Sequence, residues 1–404
     1  MALQIGHIVA AALSQVGALM NEIRAGIGIW ASRHIDPKVA GPYAAALQAT
    51  GQIDYAVIWD QLTSWWPNKL FTPENTPLAA EFPDIDSLQD PFATMAFALS
   101  AVDRLGFAIC TDALRRDAPE LAQTMLTLAS STSGPALLSL GAGEMRNIGP
   151  FGRKRSLGLK RLNETLQVLR LLWTAREPVS FDGEIFKLED AFIGNAGKDR
   201  RPEVIAMGGG PRLTEMALKY ADGFGTGAPF VYADPARFEK LVQGHRQTLN
   251  DLGRGDDTFH FALHHIAFIT KSKDDFEQYV DNPLVKWYAA TGGRINQRDW
   301  EPEGIEPVMP LDWHYAFHMK PNSMTLDEIK AVTDRVTPEM VRRTFFYGTP
   351  DDIAKEIRPF VEAGSTINLV ADFGPILVPV EPEATIEASA EICRLIKQPV
   401  AVQS

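Results

Sequence analysis

The chain has 404 residues, 45% hydrophobic and 22% charged, a composition that suits one large α/β domain or two smaller ones. Its net charge of −12 argues against nucleic acid and anionic membrane surfaces as general partners, though not against a local basic pocket for an anionic ligand. The two cysteines, Cys110 and Cys393, lie far apart at no metal-ligand or disulfide-framework spacing, which fits a reducing cytoplasm.

Residues 5–20 form the most apolar early segment. They include His7, Ser14 and Gln15, lack a basic leader, and are too short and polar to span a bilayer. Residues 1–24 therefore read as a helical extension packed on the body. Buried-strand signals follow at 25–30, 55–59, 105–110, 136–140, 204–207, 223–227, 261–269 and 367–371, each running into a helical stretch. Eight such units in series predict a single (β/α)8 barrel over 1–404 rather than an open sheet. No glycine fingerprint follows the first strand, as a dinucleotide-binding start requires.

The fourth unit is the most informative. Its strand breaks into Gly141-Ala142-Gly143, then Glu144 and Asn147, then Gly149-Pro150. A helix is expected from about 157 to 174, with Leu159, Leu162, Leu166, Leu169, Leu172 and Trp173 at helical spacing. Polar groups at strand C-termini line the active sites of such barrels. Glu144 is therefore a candidate acid, the plain alternative being a solvated loop residue. Asp60 ends the second strand and Thr111-Asp112 the third. Gly208-Gly209-Gly210-Pro211 puts unhindered backbone N–H groups at a helix start, and Arg212 adds charge. That reads as an anion cradle or as a tight turn.

Arg153-Lys154-Arg155 with Lys160-Arg161 is either an anion contact or a solvated helix face. His264-His265 must put one ring inside the barrel, where core hydrogen bonding is expected rather than metal ligation. His314 and His318, four apart, lack the acid of a metal motif, so no metal is predicted. Two segments break the repeat, 63–92 and 281–344, and hold Trp65, Trp66, Phe71, Trp287, Trp300, Trp313 and Phe317. The second, with helices expected at 326–335 and 338–344, reads as an insertion capping the active site. The aromatics form a packed cap or an apolar substrate pocket.

Seven motifs carry a family resemblance. They are Tyr55-Ala-Val-Ile-Trp-Asp-Gln-Leu62, Leu105 through Asp112 with Arg115-Arg116, Leu140-Gly-Ala-Gly-Glu144, Leu169-Arg-Leu-Leu-Trp173 with Phe181-Asp-Gly-Glu184, Gly208-Gly-Gly-Pro-Arg212, Tyr220-Ala-Asp-Gly-Phe224, and Phe346-Tyr-Gly-Thr-Pro350. In this order they resemble the luciferase-like flavin and deazaflavin oxidoreductases, which are TIM barrels. The similarity is greatest to the coenzyme F420-dependent branch, which includes the phthiodiolone ketoreductases and the sugar-phosphate dehydrogenase.

The resemblance implies hydride transfer between reduced F420 and an electron-poor organic group such as a carbonyl or imine. FMN-dependent monooxygenation is the alternative, and deazaflavin binding without turnover a second. It implies that Asp60 sits beside the deazaflavin ring, that Glu144 is a proton donor and that Asn147 is a polar neighbour of the cofactor, three residues from Glu144 and so expected to orient it. Gln61 stands where many members carry a catalytic histidine, a departure that leaves it hydrogen bonding only. Gly208, Gly209, Gly210 and Arg212 would hold the cofactor phosphate, with Thr111 close by. Ala108 and Ile109 fall where the family carries a bulge or non-prolyl cis peptide behind the ring. Trp65, with Trp30 and Trp313, would face the substrate. The expectation is a cytoplasmic homodimer acting on a small molecule.

Overall fold

The computed structural model describes residues 23–378 and 381–398. The helix expected over 5–20 lies outside them. In chain order the strands are β1 Arg24–Gly28, β2 Tyr55–Trp59, β3 Gly106–Asp112, β4 Ala136–Gly141, β5 Val179–Asp182, β6 Lys187–Ala191, β7 Glu203–Met207, β8 Gly223–Ala228, β9 His260–Ile269, β10 Phe346–Gly348 and β11 Ile367–Asp372. Eight of them close a ring in the order β1–β2–β3–β4–β7–β8–β9–β11, with β11 returning to β1 and every pairing parallel. This is the predicted (β/α)8 barrel, and the eight strands are those marked by the apolar runs. The exposed hairpin β5–β6 and the short β10, which adds to the far half of β9, carry too little apolar sequence to stand out.

Period-two alternation sorts the strand residues into two layers. Phe107, Ile109, Leu138 and Leu140 face outward into the core beneath the helices. Tyr55, Val57, Ala108, Leu137, Ile205, Ala262, Ile367 and Leu369 fill the barrel interior. On β8 the inward positions are glycines because β7 leaves no room there. A Cβ at Gly225 would stand 2.8 Å from Ile205 Cγ2 and 2.9 Å from Met207 Sδ. The N-terminal mouth is closed by polar groups. Arg24 Nη1 donates to Tyr55 Oη at 3.0 Å and to Glu203 at 2.9 Å, and His260 Nε2 lies 3.2 Å from Glu203. Only the opposite mouth is left to open.

Over that mouth, segments 63–92 and 281–344 build a second apolar core. Trp66, Phe71, Trp287, Tyr288 and Trp300 pack there with Ile266, Phe268 and Ala371 of the barrel. Indole donors tie the segments together, with Trp66 Nε1 to Leu284 O and Trp287 Nε1 to Trp65 O, both at 2.9 Å. The helices Leu326–Thr333 and Pro338–Arg342 start on Thr325 and Thr337 caps, the first a full capping box with Glu328. No described helix is long and apolar enough to cross a membrane.

One backbone expectation is overturned. β3 keeps an unbroken register with β2 and β4 through Ala108 and Ile109, so there is no bulge. The one cis peptide bond among the described residues is Ala228–Pro229.

Candidate active site

A cavity of about 820 Å³ opens at the C-terminal end of the barrel. Asp60, Gln61, Trp65, Thr111, Glu144, Asn147, Gly208, Gly209, Gly210 and Arg212 all contribute to its wall. Residues spread over 153 positions are thus gathered because each closes or follows a parallel strand. Trp30 and Trp313 are not in the wall, and Trp30 is 44% exposed on the surface. Ala108 and Ile109 are also absent from it. Ala108 lies in the interior layer beneath Cys110, and Ile109 belongs to the outer core. Strand parity explains this correction: the face carrying Ala108 reaches the cavity only at Cys110 and Asp112.

Asp60 is buried in a cage of donors. Thr111 Oγ1 donates to its Oδ2 at 2.7 Å, Arg115 Nη2 to Oδ1 at 2.6 Å, and Arg116 Nε to Oδ2 at 3.1 Å. Arg115 Nη1 also takes the Asp60 backbone carbonyl at 2.6 Å. Both carboxylate oxygens are therefore engaged by the protein, an arrangement that fixes loops and leaves little to offer a substrate.

Glu144 is held differently from the expectation. Asn147 does not orient it, because Asn147 Oδ1 accepts the backbone N–H groups of Leu62 and Thr63 at 2.9 and 3.2 Å. The partner is Arg146, whose Nε and Nη2 reach Glu144 Oε2 at 2.9 and 2.8 Å. Arg146 also donates to Gln61 Oε1 at 3.2 Å and to the Thr63 carbonyl, and lies over the Trp65 ring at 5.3 Å. One buried guanidinium thus positions three expected site residues. No spacing in the sequence reveals it, since Arg146 reads as an ordinary loop cation.

Trp65 is fixed by segment 281–344. Its Nε1 donates to Thr291 Oγ1 at 2.9 Å, and its ring meets Tyr288 and Tyr315 at centroid distances of 5.3 and 5.0 Å. Burial raises the pKa of both tyrosines, so they stay protonated donors at neutral pH. The basic run divides. Arg155 enters the cavity wall and lies 4.6 Å from the Phe317 ring, whereas Lys160 pairs with Glu184 and Arg161 with Asp117 on the outside. His314, also in the wall, is pushed down to about 4 by burial, then by Arg155 and His318.

On the floor, Ser139 Oγ and His264 Nε2 are buried with no hydrogen-bond partner among the described residues. Burial, with His265 adding to it, depresses His264 to about 4, so it is neutral near pH 7. His265 faces outward and bonds Asn368 Oδ1 at 2.9 Å. Among the described residues no group of three or more His, Cys, Asp and Glu side chains is placed to hold a metal. The glycine turn opens onto the cavity. A Cβ at Gly209 would find its nearest neighbour at 3.8 Å, and one at Gly210 would find none within 4 Å. Gly210 caps the helix Pro211–Tyr220 without a side-chain bond, so no cap takes the N–H groups that follow Pro211, which has none itself.

A parallel eight-stranded barrel with its cavity at the strand C-termini defines a TIM-barrel protein of the luciferase-like architecture. The luciferase-like monooxygenase family model matches residues 70–366, and the chain belongs to that family. It is 28% identical over 330 residues, 80% of this chain and 88% of the relative, to a phthiodiolone/phenolphthiodiolone dimycocerosates ketoreductase of Mycobacterium kansasii. Among solved structures it superposes on an F420-dependent secondary alcohol dehydrogenase in complex with an F420-acetone adduct. That match has a TM-score of 0.65 and 19% identity, covering 93% of this chain and 99% of the other. It also superposes on a long-chain alkane monooxygenase, with a TM-score of 0.62, 16% identity and coverage of 91% and 90%. At these identities the two structures bear on the fold.

Proposed function

We propose that the protein is an oxidoreductase that reduces an electron-poor group of a small organic molecule, a carbonyl in the first instance, with reduced coenzyme F420. The observation that carries this reading is the cavity itself, with an open glycine turn on one wall and carboxyl groups on another. The similarity to a ketoreductase over 80% of the chain supports the carbonyl.

The residues present fit such a cofactor. Gly209, Gly210 and Arg212 would hold its phosphate through backbone N–H groups and charge, whereas the Gly208 N–H is taken by Gly225 O at 2.9 Å and only shapes the turn. The orphaned Ser139 hydroxyl and His264 nitrogen suit the polar edge of a flat heterocycle. When bound, the deazaflavin supplies a hydride. The protein's part is position and proton. Trp65, Tyr288 and Tyr315 form an aromatic wall against which a substrate lies. Segment 281–344, which contributes Tyr288 and residues 314–317 to the lining, acts as the cap that keeps water out.

Fluorescence titration of the purified protein with F420 and, separately, with FMN tests the reading. Saturable F420 binding is expected, with oxidation of reduced F420 on addition of a carbonyl panel under anaerobic conditions. Binding of FMN alone, with product formed only in oxygen, would replace this reading with monooxygenation.

A further inference from the structure

We propose that Asp112 is the cavity's proton-delivering carboxyl, and that Glu144 and Asp60 are not. The proposal rests on the reductive reading above and deepens it by assigning the acid.

Four carboxyl groups reach the cavity wall, and their partners separate them. Asp299 pairs with Arg237 at 3.8 Å. Asp60 has donors on both oxygens, two of them guanidinium groups. Glu144 gives one oxygen to two nitrogens of Arg146, and its side chain is 29% exposed. Asp112 is buried at 7% exposure, forms no ion pair among the described residues, and accepts one protein hydrogen bond, from Leu114 N to Oδ1 at 2.9 Å. Its Oδ2 has no donor among the described residues. Strand parity points Asp112 inward beside Cys110, on the face that meets the cavity.

The surrounding charges favour a proton there. Arg115, three residues on, is engaged by Asp60. Asp60 at the end of β2 and Glu144 after β4 are negative neighbours, and Arg155 is near enough to feel the Asp112 charge. Burial is the largest influence and pushes Asp112 up to about 6. Arg115 and the Leu114 N–H oppose the shift, and Asp60 and Glu144 reinforce it. A carboxyl with a free oxygen and a pKa close to the working pH suits general acid catalysis.

The carbonyl carbon forms a C–H bond with the incoming hydride, and the C=O π pair moves to oxygen. That oxygen forms an O–H bond with the Asp112 proton, whose own O–H bond breaks. The carbonyl is reduced by two electrons, the deazaflavin is oxidised by two, and water reprotonates the carboxylate.

Two measurements test this. In protein labelled with ¹³C at the aspartate carboxyls, two resonances of the cofactor-free enzyme should titrate near pH 6, those of Asp112 and Asp372; one should vanish in Asp112→Asn, and both should remain in Glu144→Gln. In single-turnover oxidation of reduced F420, Asp112→Asn should slow the step about 10²–10⁴-fold at unchanged cofactor affinity. It should also abolish the fall in rate as pH rises through about 6. Glu144→Gln should keep that limb, and Asp112→Glu should restore part of the rate. Full rate and an intact limb in folded Asp112→Asn would overturn the proposal, as would transfer of the limb's loss to Glu144→Gln. A wild type that oxidises no reduced F420 with any carbonyl would instead sink the reductive reading and this role with it, while the resonance still reports where Asp112 titrates.

Discussion

Asp60 has 1% of its side chain exposed and lies among Arg115, Arg116 and Thr111. If it serves as an anchor, Asp60→Asn leaves two guanidinium groups facing a neutral amide. Removing one partner of a buried ion pair costs about 3–5 kcal/mol. Urea denaturation should show a loss of that order, with Arg116 retaining only its pairing to the more exposed Asp90 at 2.6 Å. A variant as stable as wild type but unable to turn over would return Asp60 to the chemistry. Arg146 makes a second such test. Arg146→Met keeps most of the volume, yet frees Glu144 and Gln61 and strips the donor from the Thr63 carbonyl. A loss of about 1–3 kcal/mol is expected from the unpaired groups. Quenching of Trp65 fluorescence by a neutral quencher should rise as its cation neighbour is removed. Unchanged stability and quenching would show that Arg146 does not organise the mouth.

At the scale of elements, the loop between β7 and the helix Pro211–Tyr220 separates binding from folding. Gly209→Val adds a side chain where the protein leaves space, the nearest atom to a Cβ being Val231 Cγ1 at 3.8 Å. Stability should move by no more than about 0.5 kcal/mol, as at an open surface site. F420 affinity should fall because the added methyls stand between the backbone N–H groups and a phosphate. Equal affinity in the folded variant would remove the cradle from this loop. Gly225→Ala is the contrasting case. Its Cβ would press on Ile205 and Met207, so stability should drop by about 1–3 kcal/mol.

The same scale shows what the sequence could convey. Eight apolar runs with glycine or acid at their ends are a local signal, and they predicted the barrel and the strand-end residues of the cavity. Asp112 was legible by parity from Ala108 through Cys110, but a lone strand-end acid says nothing of its burial. Arg146 was not legible, because its partners lie on two different loops. Trp30 and Trp313 were aromatic in the right segments, yet side-chain direction after a strand or within an irregular segment has no period to read. The motif at Ala108-Ile109 matched a family in which that backbone is irregular, whereas here β3 pairs regularly on both edges.

For the whole molecule, buried ionisable groups set opposing pH dependences. Burial holds His264, His265 and His314 at about 4, below the ordinary histidine value of 6.5. The unfolded chain then binds more protons between pH 6.5 and 4, so their contribution is present above 6.5 and is lost as pH falls through about 4. Asp112 and Asp372 run the other way. Burial raises both from 3.8 to about 6, so their contribution is present below 3.8 and is lost as pH rises through about 6. Three histidines against two aspartates leave a net loss of stability on acidification from pH 8 to 4.5. Asp372 lies outside the cavity wall, and its Oδ1 accepts Ile269 N at 3.0 Å and Gly374 N at 2.9 Å, bonds that an asparagine oxygen can keep. Asp372→Asn removes the charge that is costly above pH 6. It should stabilise the protein by about 1–2 kcal/mol at pH 8 and little at pH 4.5, which makes the acid-side loss steeper than in wild type. Urea unfolding at the two pH values measures both slopes. An identical change at pH 8 and 4.5 would mean that the Asp372 carboxylate is not strained by burial, and that Asp112 alone opposes the histidines on the acid limb.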